Sequence, residues 1–121
     1  MDPTVGLKCL SAGLELQKQY GDRIDLRLVA FAQDPIFPAD AAKEATMQRL
    51  LREAVRREGV SALGSTPYVE PKNEDGDNHE LQKRNVEFTF DLAQEAGLDV
   101  DFHLDYVSLG KSAPWVWLTE R

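Results

Sequence analysis

Three stretches of the chain carry apolar residues at helical spacing, and each gives way to a short run of β-type residues. Between Thr4 and Tyr20, Leu7, Leu10 and Leu14 recur every three to four positions and form one apolar stripe. Between Ala41 and Glu58, Met47, Leu50, Leu51, Ala54 and Val55 repeat the pattern behind Asp40, whose carboxylate suits an N-cap. Between Asn78 and Ala96, Leu81, Phe88 and Leu92 mark the buried side, and Asp77 with Glu80 three residues on has the form of a capping box. The runs Ile24 to Phe31, Ser61 to Thr66 and Leu98 to Leu104 read as strands.

Gly21, Gly59 and Gly97 recur at equal intervals of 38 residues, each between a helical segment and a strand, where a residue without a Cβ can end a helix in the left-handed conformation. Helices alternating with strands, with no hairpin turn between them, predict an α/β fold in which a parallel sheet is packed against helices. The last segment, Ser112 to Arg121, has the look of a helix start, with Ser112 as cap and Pro114 in the first turn. A (β/α)8 barrel needs about 250 residues. This chain therefore supplies fewer than half of such a barrel's strands and reads as one partial domain, residues 1–121, of a larger architecture.

Composition narrows the function classes. The 121 residues are 42% apolar and carry 14 Lys and Arg against 21 Asp and Glu, a formal charge of −7, which fits one soluble acidic domain. The longest apolar run, Leu28 to Ala32, is far short of a membrane span. With no basic block, neither nucleic acid nor a membrane is expected as a partner. The single Cys9 cannot form an internal disulfide, and Met1 to Thr4 lack a secretory signal, so a cytoplasmic location is expected. Cys9 itself, one position before Leu10, is expected to be a packed thiol. No nucleophile elbow, P-loop or dinucleotide fingerprint is present. Trp115 and Trp117 are expected to pack over the sheet.

In parallel α/β sheets, chemistry gathers beyond the carboxyl ends of the strands. The third strand is the most informative there. Val100, Phe102 and Leu104 share one parity, and Asp101, His103 and Asp105 share the other. Such alternation fits either a polar face lining a pocket or a histidine hydrogen-bonded to a neighbouring aspartate on a half-exposed edge strand. Asp34, Glu70, Asp101 and Asp105 are oxygen donors near strand ends, where acidic residues are usually solvated. His79 falls at a helix start and reads as a surface residue.

The segments Ile24 to Gln33, Ala62 to Pro67 and Asp99 to Asp105 resemble, in order and spacing, the middle of cytosine deaminase-like enzymes of the metal-dependent amidohydrolase superfamily. The likeness runs from about Leu7 to Asp105. It implies a TIM-type (β/α)8 barrel of which these are strands three to five, with His103 as a metal ligand and Gln33 as a contact to substrate. The chain departs from the family at Tyr106, where deaminases of cytosine carry a glutamate proton shuttle, and at Tyr68, where the family often has histidine. A phenol with a pKa near ~10 does not replace that carboxylate at neutral pH. The family's other metal ligands have no counterparts in this sequence.

The resemblance thus implies a hydrolase of non-peptide carbon–nitrogen bonds that needs a divalent zinc or iron ion and takes a small-molecule substrate. One imidazole does not hold such an ion, so this chain alone is expected to retain no metal, to be inactive, and to self-associate through exposed sheet edges. The alternative is a non-catalytic α/β module that binds a ligand or partner through the same strand ends.

Overall fold

The structure, a computed structural model, describes residues 1–104; the expectations for Asp105, Tyr106, the two tryptophans and the helix at Ser112 fall outside the described residues. Within them the chain is α/β. Helix α1 (Lys8–Tyr20) leads to strand β1 (Leu28–Ala32), α2 (Ala41–Ala54) to β2 (Val60–Ser65), and α3 (His79–Ala96) to β3 (Asp99–Phe102). All strand pairings are parallel and the order is β1-β2-β3, with β2 in the centre. None of the described helices is long and apolar enough to cross a membrane.

Each element forms for local reasons that the sequence carries. Asp40 caps α2 by accepting from the Ala42 and Lys43 amides at 2.9 and 3.2 Å. Gly97 ends α3 in the left-handed region at φ 66°, where it returns its amide to Ala93 and Gln94. The other two glycines of the 38-residue interval act differently. Gly21 follows α1 in the right-handed region, and Gly59, at φ 95°, turns the chain into β2 after α2 has already ended at Ala54. The expected capping box at α3 is also replaced: Asn78 takes the cap position without a side-chain capping bond, and Asp77 accepts instead from the His79 amide at 3.3 Å.

The core lies between the helices and one face of the sheet. Ala30, Ala32 and Leu63 on that face are buried with Met47, Leu51, Ala54 and Val55 of α2 and its end, and with Leu92 and Ala93 of α3. Val100 packs against this cluster, as do Leu7, Leu10 and Leu14 from α1 and its start. Phe102 stacks on Phe90 of α3 with ring centroids 5.3 Å apart. The stripe read on α2 is therefore its buried face. Leu7, Leu10, Leu14, Leu81 and Phe88 are half-buried against the core, and the buried face of α3 runs through Gln82, Asn85, Val86, Thr89, Leu92 and Ala93, while α1 contributes no fully buried side chain. Gln17 ties α1 to the sheet instead, its amide nitrogen donating to Leu26 and Gly59 carbonyls at 2.6 and 3.1 Å.

The outer edge of β1 is met by the start of the chain. The Met1 ammonium donates to the Phe31 carbonyl at 2.8 Å. Asp2 folds the following turn by accepting from the Thr4 and Val5 amides, and those bonds, Val5's foremost, hold its carboxyl below the usual range. Cys9 is exposed, contrary to the expectation of a packed thiol, and lines a cavity of about 180 Å3 between α1 and β1.

Candidate functional site

The register places side chains of the three strands in transverse rows. Ala30, Leu63 and Val100 form one row and Ala32, Ser65 and Phe102 the next on that same face, which is the helix-packed one. Pleating sends the alternate residues to the other side. There Phe31, Gly64 and Asp101 are row partners, with Val29, Ala62 and Asp99 below them. Val29, the second residue of β1, is 37% exposed, and among the described residues the helix side chains of the apolar core pack on the opposite face. At its lower end the Arg27 guanidinium reaches across to Asp99 at 3.3 Å, an exposed pair of small energetic weight.

Gly64 shapes the upper part of the open face. A Cβ there would lie 2.5 Å from the Asp101 carbonyl oxygen and 2.6 Å from the Phe31 ring. Without it, the Phe31 ring lies over the central strand and meets the His103 ring, with centroids 4.6 Å apart and planes tilted by 47°. The His103 amide donates to the Ser65 carbonyl at 3.1 Å and so carries the β2–β3 ladder one residue past β3. The ring contact puts His103 on the same face as Phe31; Asp105, one of the two aspartates beside it, lies outside the described residues.

Gln33 stands one residue past β1 and His103 one residue past β3, both exposed. The structure thus brings the two predicted site residues to the same end of one sheet. It does not gather a metal centre around them: among the described residues no group of three or more His, Cys, Asp or Glu is arranged to hold a metal ion. His103 contributes one nitrogen, and Asp101 is half-buried on the same face. This donor set does not fit a complete catalytic ion site, which takes three or more protein ligands. Asp34 is exposed, and His79 is a surface residue paired with Asp77 at 3.0 Å.

Glu70 departs from the expectation of a solvated strand-end carboxylate. It is 2% exposed, at the end of a single 3-10 turn over Pro67–Val69. Its two oxygens accept from the Ile36 and Phe37 amides at 2.9 and 3.1 Å, and Oε1 also accepts from Asn85 Nδ2 at 2.6 Å. Asn85 in turn accepts from the Ser65 hydroxyl at 2.6 Å, and the Thr89 hydroxyl donates to the Asn85 carbonyl at 2.9 Å. Asn78 donates to the Glu70 carbonyl at 2.6 Å and accepts from Gln82. This cluster escaped the sequence reading, which beyond the first turn of α3 followed only its apolar positions. Gln82, Asn85 and Thr89 carry a helical spacing of their own, and that was the available signal.

No family model matches the chain, and a search of curated proteins finds no similar one.

Two outcomes follow from this geometry. Gly64→Ala pushes the Phe31 ring or the β3 backbone aside and is expected to cost about 1–3 kcal/mol, measured by urea denaturation; wild-type stability would contradict the close approach. Burial raises the Glu70 pKa above its ordinary 4.5, against the opposing bonds from Asn85, Ile36 and Phe37. The folded chain then keeps a proton that the unfolded chain has released, so this contribution to stability is complete below 4.5 and is lost as the pH rises through the folded value. Unfolding free energy between about pH 4 and about pH 7 should contain a falling component in wild type that Glu70→Gln lacks. Parallel profiles would refute the shift.

Proposed function

We propose that the three parallel strands are part of the wall of a (β/α)8 barrel of the metal-dependent amidohydrolase type, acting on non-peptide carbon–nitrogen bonds. His103 serves there as one metal ligand and Gln33 as an anchor for a small substrate. The observation that carries this reading is the one-sided sheet. Among the described residues helices cover one face, and Gln33 and His103 stand at the carboxyl end of strands whose other face meets no helix. A barrel wall has its helices outside, its lining inside and its chemistry at that end. The sequential strand order agrees with it, since a doubly wound sheet reverses its order at a switch point.

The chemistry of that class needs a metal-held water, and a zinc or iron ion would need ligands beyond His103. On this reading the chain by itself retains no ion and performs no hydrolysis. What its own residues do is narrower. The stacked Phe31 ring and the ladder bond at its amide fix the His103 imidazole, and the amide of Gln33 offers both a donor and an acceptor to a substrate.

The second reading is a non-catalytic module that binds a ligand or partner through the same strand ends. The two readings separate at the level of DNA. Sequence flanking the reading frame should encode a strand with paired histidines before this segment and strands with a histidine and an aspartate after it. In a chain carrying those strands, His103→Ala should abolish metal retention, while Gln33→Ala should keep the metal and raise KM about 10–100-fold, the effect of one lost substrate hydrogen bond. Verified start and stop sites without such strands, joined to a monomer with protected sheet amides, would decide for the module.

A further inference from the structure

The buried polar cluster described above joins the segment that carries Gln33 to the rest of the fold. Residues 33–40 between β1 and α2 contain no helix or strand, so no ladder fixes them. They are held from the β2 side at two points. The Thr66 hydroxyl lies 3.4 Å from the Ala32 carbonyl and 3.3 Å from that of Gln33, and the Glu70 carboxylate takes the next two buried amides, Ile36 and Phe37. Glu70 is itself anchored to α3 by Asn85, which the Ser65 hydroxyl fixes to β2. Apart from the part-buried contact of Thr66 with the Gln33 carbonyl, these links from the end of the central strand to the Gln33 segment are buried hydrogen bonds.

We infer that Glu70 is a positioning residue for Gln33, clamping the segment that follows it through the two consecutive backbone amides of Ile36 and Phe37. Side-chain chemistry supports this assignment over simple filling of space. A buried carboxylate is costly, and an apolar residue or an amide of the same size would fill the volume at lower cost. Only a carboxylate presents two equivalent acceptors, and here each oxygen takes one of two adjacent amides while a third donor completes the set. The functional meaning of the clamp rests on the proposed substrate role of Gln33. The clamp itself does not, and it is measurable without substrate or metal.

The test uses the 121-residue chain, with amide exchange and 15N relaxation read residue by residue. Glu70→Gln keeps the size but turns an NH2 toward one of the two amides. Exchange at Ile36 and Phe37 should rise about tenfold or more relative to that at Leu63 in β2, and residues 33–37 should gain fast motion. Val86→Ala, in the buried face of the same helix, should lower Tm while leaving residues 33–37 as rigid as in wild type. If Glu70→Gln and Val86→Ala speed exchange at Ile36, Phe37 and Leu63 in the same proportion, Glu70 is only a packing residue and the inference falls. Thr66→Val covers the case in which Glu70→Gln does not fold. It should loosen Gln33 while Ile36 and Phe37 stay protected; their loss of protection at unchanged Tm overturns the assignment. Because neither readout involves hydrolysis, a segment 33–37 that is no looser in Glu70→Gln than in wild type counts against the clamp, and a missing activity counts against the role of Gln33.

Discussion

The pleat of a parallel sheet commits each side chain to one of two faces, and among the described residues the helices pack on only one of them. Ala30, Leu63 and Val100 spend their parity on the core. Their neighbours Val29, Phe31, Gly64 and Asp101 are thereby sent to a face without a helix among the described residues. Everything proposed about chemistry depends on that division, because it is what puts His103 beside Phe31 rather than beneath α3. Sheets with both faces helix-covered read as continuous apolar runs. The alternation Asp99, Val100, Asp101, Phe102, His103 is the imprint of a sheet with only one such face.

Two different forces hold the two ends of this sheet. In the body of the fold, stabilisation is apolar, from Met47, Leu51, Leu63 and Leu92 packed without solvent. At the carboxyl ends it is polar, and Ser65, Thr66, Glu70, Asn85 and Thr89 are as buried as the core. Every buried polar side-chain atom among the described residues has a partner. Satisfied networks in a low-dielectric interior are strong and directional, whereas apolar contacts tolerate sliding. A directional brace at the strand ends is what a fold requires if the loops there are to hold groups in fixed positions.

Much of this architecture was legible because period and punctuation agreed. The leucine spacing around Leu7 to Leu14 and Met47 to Val55, the cap at Asp40 and the glycine after Ala96 each have a local cause that survives into the structure. What was not legible came from contacts between residues far apart in the chain. Nothing near Glu70 announces that two amides 33 and 34 residues earlier will need an acceptor. Gly59 looked like a helix terminator because its spacing matched Gly97, but α2 ends at Ala54 and the glycine serves a later turn. Cys9 sat beside an apolar stripe, yet it is exposed and lines the cavity between α1 and β1. The alternation on the third strand was visible; the Gly64 opening that lets Phe31 reach His103 was not, since it joins three strands at once.

Ring-to-ring nuclear Overhauser effects at His103 address this division of faces most directly. The fold described here predicts cross-peaks between the imidazole protons of His103 and the ring protons of Phe31, with none to Val86 or Leu92 of α3. Cross-peaks from the imidazole to those α3 side chains, with none to Phe31, would put His103 on the helix-packed side and contradict the open face on which the functional reading rests.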